Sequence, residues 1–436
     1  MKNKKMLITL LLAIALVVLC GTTSKAYTAT TTENGNTFAW RFDKNEDSKQ
    51  ITNLKCTNPE GISGEITIPS KITVDGEDYT VVSLCYGAFK NAKSITKVNI
   101  PDTLMSMATS SFYDDGAFEN CTSLTEVNIG SKLSNIGNNC FKGCTALKSI
   151  NIPDNITDMG SGTFWDCTGL EKCNIPQNVT VLKGATFFNC SSLKSIEIPG
   201  SVTAIKSNYN DIYNKYQNGC FAGCKSLTEV TIPDSVTIME ALAFQACTNL
   251  KKVKISNKIQ ELSSSVFANC KSLTEVTIPD SVVSIQSDTS GEGAFYNCEA
   301  LQSVTIPDTV TFIGKYAFEN CGKGKLGLFV KQGSYAENWA KDNNVSYNYG
   351  TGTNTDNSKD NKENSKEQSK DDSNKQNSNS QDKKENKVTL TGTDKTTATK
   401  VISKTGESAI VLVTIVLVAG IAIFVSRKLM NMKDIK

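Results

Sequence analysis

Between Phe89 and Phe318 the apolar positions return at a fixed interval. Phenylalanine stands at Phe89, Phe118, Phe141, Phe164, Phe187, Phe221, Phe244, Phe267, Phe295 and Phe318, 23 residues apart except for gaps of 29, 34 and 28. The unit is therefore 23 residues, with insertions of 6, 11 and 5 residues. One uninterrupted copy, Ala243 to Leu262, reads AFQACTNLKKVKISNKIQEL, and the copies average to A-F-x-x-C-x-x-L-x-x-V-x-I-P-x-x-V-x-x-I. The V-x-I segment, Val230 and Ile232 in one copy, alternates with period two, as a short strand with one buried face requires. Proline after it, as at Pro233, donates nothing to a ladder and ends the strand. A single coil of this length cannot bury its apolar side chains alone, but stacked on its neighbours it can. The pattern thus predicts a β-rich solenoid of about ten coils. Its short parallel strands form a sheet along one face, at about 5 Å per coil.

The ends depart from the repeat, as the ends of a stacked array must. Residues 27–84 carry weaker strand patterns and read as an N-terminal cap running into a half-formed coil, ahead of the solenoid at 85–330. Residues 331–349 read as a C-terminal cap. Ser334 followed by Glu337 forms a capping-box signature for a short helix with Ala336, Trp339 and Ala340 on one side, a lid over the last coil.

Outside this body the chain changes character. Residues 1–26 read as a secretory signal: Lys2, Lys4 and Lys5, an apolar stretch from Met6 to Leu19, and Ser24-Lys25-Ala26 as a small-x-small cleavage site. Cys20 follows Leu19 where a lipoprotein signal carries a small residue, so it reads as an apolar residue of a removed peptide. From Thr351 to Lys387 no hydrophobic residue occurs, and eight lysines balance eight acids. Such a stretch cannot bury enough surface to fold. The polar linker of residues 350–407 would average roughly 40 Å end to end, a stalk. Ala409 to Val425, within residues 408–426, is an apolar run at the short end of what spans a bilayer, and the tail 427–436 is basic. The expected location is exported, at the cell surface, held by the C-terminus in membrane or wall.

The repeats AFENCTSLTEVNI, CFAGCKSLTEVTIPDSVTIME and AFYNCEALQSVTIPDTVTFIG resemble those of the BspA-like bacterial leucine-rich repeat proteins, over about residues 60 to 345. GSYAENWAKDN is similar to the usual C-terminal cap of that class. The resemblance implies a surface-displayed solenoid, with adhesion to host or microbial partners as its role. Ile402-Ser403-Lys404-Thr405-Gly406 resembles an L-P-x-T-G sorting signal, followed by the appropriate apolar run and basic tail. It departs from that signal at its first two positions. Two anchors stay open: sortase linkage to peptidoglycan through Thr405, or a plain membrane helix.

Composition narrows the chemistry. The chain has no histidine, which removes the commonest general base and zinc ligand, and a net charge of +2 gives no field that would select nucleic acid. No catalytic constellation, cofactor loop or metal site is expected, and the protein reads as no enzyme. Cys121, Cys144, Cys167, Cys190, Cys224, Cys247, Cys270, Cys298 and Cys321 fall three residues after a repeat phenylalanine, a column of packing thiols with a weak donor for nearby backbone. Ala92 takes that place in the first coil, which suggests that the slot does not need sulfur. Cys140 and Cys220 replace a small residue just before the phenylalanine.

The outward column Asn99, Asn128, Asn151, Asn174, Glu197, Thr231, Lys254, Thr277 and Thr305 is mixed, with one basic spot at Lys251, Lys252 and Lys254. The insertions all fall at one phase and should leave one edge. One carries Phe112 and Tyr113, the longest Tyr209, Tyr213 and Tyr216, and tyrosine among Asn, Ser and Gly is a binding-loop composition. In the third, Asp288 and Glu292 supply too few oxygens to hold calcium by themselves. With the role that the resemblance implies, the expected function is an adhesin that binds protein or glycan of host or microbial surfaces through its exposed sheet or its inserted edge loops. A structural surface spacer without a specific ligand is the alternative.

Overall fold

The computed structural model describes residues 26–107, 115–210, 215–288 and 291–350. They form a stack of coils that begins on an antiparallel sheet and ends under a helix. In the N-terminal cap, strand Asn36–Asn45 pairs with Tyr27–Glu33 on one side and Gln50–Cys56 on the other. The alternation of Phe38, Trp40 and Phe42 with outward residues aims three aromatic rings at the first coil. Strand Ser63–Thr67 already pairs in parallel with Ser94–Asn99 of the first full coil, and Ile66 and Ile68 are buried. The half-formed coil is thus a real rung, one that lacks the repeat phenylalanine.

Each coil touches the next along three lines. The V-x-I segments make short parallel pairs, such as Glu229–Thr231 with Lys252–Lys254 and Glu275–Thr277 with Ser303–Thr305. The V-x-x-I segments make a second set on another face, such as Asn135–Ile136 between Ser106–Met107 and Asp158–Met159. The expectation of a sheet along one face needs correcting here. There are two strand faces, and both are interrupted: the first runs in separate pieces, and Ser195–Ile198 forms no strand among the described residues.

The continuous line is the turn that carries phenylalanine. At all nine junctions from Phe89 to Phe318 the phenylalanine N–H donates to the carbonyl of the residue before the next phenylalanine, from Phe89 to Ala117 at 2.6 Å through Phe295 to Ala317 at 2.9 Å. The N–H two residues further on donates to the next coil as well, as from Asn91 to Glu119 at 2.8 Å. The residue at this place takes positive φ in every coil: Asn91, Asn120, Gly143, Asp166, Asn189, Gly223, Ala246, Asn269, Asn297 and Asn320. Asparagine and glycine tolerate that left-handed conformation, and alanine at 246 is strained in it.

Inside the turn the ten phenylalanine rings stack, with centroids 5.0 to 5.7 Å apart and ring planes within 19°. Trp40 closes the stack edge-on at Phe89 (5.8 Å, 80°) and Trp339 closes it at Phe318 (5.8 Å, 71°). The lid helix is Tyr335–Asp342. The Ser334 hydroxyl accepts from the Glu337 N–H, and Ala336, Trp339 and Ala340 are buried against the last coil.

The nine cysteines lie beside this stack. Each Sγ donates to the carbonyl of the preceding coil's phenylalanine, at 3.0 to 3.3 Å, from Cys121 on Phe89 to Cys321 on Phe295. That carbonyl already accepts the N–H three residues on in its own coil, and the thiol fills its second lone pair. Ala92 fills the same slot in the first coil; in the rung before it Cys56 stands at the phenylalanine place, its N–H donating to the Ala88 carbonyl at 3.1 Å.

Candidate recognition surfaces

The three insertions leave after the V-x-x-I strand and rejoin two residues before a phenylalanine, each on a glycine. A Cβ on Gly116 would lie 1.7 Å from the Asn139 carbonyl oxygen, on Gly219 1.9 Å from that of Leu242, and on Gly293 2.0 Å from that of Tyr316. No side chain fits there, so each inserted loop is pinned where it re-enters.

The longest insertion is a β-hairpin of Ser207–Asn210 with Lys215–Gly219, in which Tyr209 is the cross-strand partner of Tyr216. Its base is clamped by Glu240 of the next coil, which accepts from the Ser207 N–H at 2.8 Å and pairs with Lys206 at 2.7 Å. The Ser207 hydroxyl donates to the Ala241 carbonyl. Tyr213, and Phe112 and Tyr113 of the first insertion, lie outside the described residues. In the third insertion the Asp288 carboxylate accepts from the Glu292 N–H at 2.9 Å, and Glu292 accepts from the Ser265 hydroxyl at 3.0 Å. These acids tie the loop to itself and to a neighbouring coil. Among the described residues no group of three potential ligands is placed to hold a metal.

The V-x-I face divides into two parts. In its first half Lys97 bridges Glu65 and Glu126 at 3.4 and 3.1 Å, and Asn128 donates to Asn99 at 2.8 Å. The Asn174 amide stands in for a strand by bonding both the N–H and the carbonyl of Ile152. From the gap at residues 195–198 onward runs a cleft of about 890 Å³ over four coils, lined by Glu197, Glu229, Lys252, Lys254 and Glu275 among others. Among the described residues these charges make no ion pair within 4 Å, but Glu229 stands directly across the strands from Lys252, so the cleft is of mixed charge.

Burial pushes the Cys121 and Cys247 thiols up to about 12 and that of Cys167 higher still, which favours the neutral thiol that donates to the carbonyl. The sorting-type residues Ile402, Ser403, Lys404, Thr405 and Gly406, like the apolar run after them, fall outside the described residues. Among the described residues no helix is long and apolar enough to cross a membrane.

Stacked coils of parallel strands with a conserved-phase turn define a leucine-rich repeat solenoid. The chain belongs to the BspA type leucine rich repeat region family, whose model matches residues 65–115, 113–209 and 207–325 in six copies. Among solved structures, a leucine-rich repeat protein from Bacteroides ovatus is 24% identical with a TM-score of 0.52, over 70% of this chain and 69% of that one. A leucine rich cell surface protein from Faecalibacterium prausnitzii is 28% identical with a TM-score of 0.36, over 71% and 96%. No curated protein matches the chain.

Sequence reasoning passed over the three re-entry glycines, the clamp at Glu240 and the left-handed residue two after each phenylalanine. The last was visible as a column of Asn, Gly and Asp, which marks a turn.

Proposed function

We propose that this protein is a surface-displayed adhesin that binds a protein or glycan of host or microbial surfaces through the loops inserted along its turn edge. The observation that carries this reading is the pinned hairpin. A repeat that tolerates insertion at one phase pairs the two arms of its longest one, Ser207–Asn210 with Lys215–Gly219, and holds their base at Gly219 and Glu240. Fixing the base in advance lowers the entropy cost of binding, and tyrosine supplies wide contact with few rotors. The secretory-type start, the polar stalk and the apolar C-terminal run fit export and display at the surface. Attachment there proceeds by sortase through Thr405 or by the membrane helix.

The test is attachment of bacteria displaying the full chain with Tyr209, Tyr213 and Tyr216 replaced together by alanine. Surface abundance is monitored by antibody. Adhesion to epithelial cells or immobilised matrix should fall about tenfold or more. Undiminished adhesion at equal display would refute the loop reading.

A further inference from the structure

The chain has two arginines, Arg41 and Arg427, and only Arg41 lies among the described residues. It sits on the outward face of the N-terminal cap, directly opposite Lys55 in the antiparallel register. Like charges placed opposite one another on a sheet destabilise it, and no acid pairs with either directly, although Asp115 lies at the same hollow. Among the described residues neither Arg41 nor Lys55 makes an ion pair, and the nearby Asp43 carboxylate accepts instead from the Asn53 amide at 2.8 Å. The pair opens into a hollow of about 420 Å³, whose lining includes Thr57, Lys90, Asn91 and Asp115. Lys90 is already committed to Asp115 at 2.5 Å and Glu119 at 3.5 Å. The Lys55 ammonium lies 5.1 Å from the centre of the Tyr86 ring, which is 48% exposed.

We infer that this hollow is a binding site for an acidic sugar, a uronic or sialic acid residue of a glycan; the inference rests on the adhesin reading and names one ligand class for it. The Arg41 guanidinium offers a planar fork for one carboxylate, and Lys55 supplies a second positive charge beside it. Tyr86, whose ring lies under the Lys55 ammonium, borders the hollow from outside its lining and offers apolar surface to the rest of a bound sugar. Asp115, Asn91 and Thr57 provide the acceptors that sugar hydroxyls need. The same Asp115 disfavours an acidic peptide, whose extended chain carries several carboxylates and few hydroxyls. The site adjoins the first insertion: Asp115 is the residue at which that loop rejoins the described chain, and its carbonyl accepts from the Gly87 N–H at 2.9 Å. A hollow of this volume lies within the range of small-ligand sites.

The experiment is titration of the full-length protein, in detergent, with sialyllactose and with digalacturonate. Lactose serves as the neutral control and a glutamate oligopeptide as the acidic-peptide control. The expected result is binding of at least one acidic sugar, weakened by salt and reduced about tenfold or more in Arg41→Gln and in Lys55→Gln. Arg41→Lys should retain an intermediate affinity. Both glutamine variants should melt no lower than the parent, since each removes a like-charge repulsion. Equal binding of lactose, preference for the glutamate peptide, or affinity unchanged in Arg41→Gln would each overturn the proposal. No binding of either acidic sugar by a protein that still mediates adhesion would overturn it too, and would leave the adhesin reading standing. Loss of adhesion in the tyrosine variant with sugar binding intact would separate the two sites.

Discussion

The turn edge and the strand faces of this solenoid are built from the same ten coils, yet only one is continuous. At the edge every junction carries two backbone hydrogen bonds, a phenylalanine stack and a thiol on a carbonyl. On the faces, paired segments alternate with gaps such as Ser195–Ile198. The turn is fixed by a left-handed residue and a closed ring of bonds. A strand of two or three residues gives its neighbour few bonds, so a small fanning of the coils opens it. The continuous edge holds the register, and the faces and insertions are left free to vary.

Substitutions can break this contrast. Phe244→Ala, in mid-stack, should cost about 3–5 kcal/mol from the cavity, plus the two ring contacts to Phe221 and Phe267. Val253→Ala on the face, where the side chain is only half-buried, should cost about 1 kcal/mol. Chemical denaturation of the two variants checks the order.

Gly219→Ala forces a Cβ into the Leu242 carbonyl and should cost about 1–3 kcal/mol, while releasing the hairpin to protease before global unfolding. Cys167→Ala should cost about 1–2 kcal/mol, because the Phe141 carbonyl loses its second donor and a small void opens.

The C-terminal closure has a pH signature. Lys341, the Gly333 N–H and the Tyr349 hydroxyl hold the Glu337 carboxyl below its ordinary 4.5, at about 2. A carboxyl depressed by folding stabilises the cap above its unfolded value, and that stability is lost as pH falls from about 4.5 towards 2. Trp339 fluorescence should therefore report release of the helix over that window, and Glu337→Gln should flatten the transition. The smallest expected effect is a gain: Ala246→Asn relieves a strained left-handed alanine at φ 57° and should stabilise by about 0.5–1 kcal/mol in thermal unfolding.

The period of 23, the buried phenylalanine and cysteine, the strand at V-x-I and the lid at Ser334 were legible in the sequence because each is a repeated apolar or capping pattern. The dominance of the turn edge was not. Its bonds are backbone bonds, and the mark of the left-handed residue that sets them, Asn, Gly or Asp two after nearly every phenylalanine, is not a large apolar side chain and escapes a search for hydrophobic periodicity. The hollow at Arg41 was hidden for another reason. Its residues come from two cap strands, a coil turn and the end of an insertion, and no local spacing links Arg41, Lys55 and Asp115. The tyrosines were found by composition, and the structure adds the register that pairs Tyr209 with Tyr216.

Native-state hydrogen exchange resolved along the chain tests the central contrast most directly. The account expects uniformly slow exchange at the turn amides that donate to a following coil, Phe89 to Phe295 and the residues two after each. It expects fast exchange at Ser195–Ile198 on the face between them. Equal or greater protection across that face, with fast exchange at the phenylalanine turns, would contradict it.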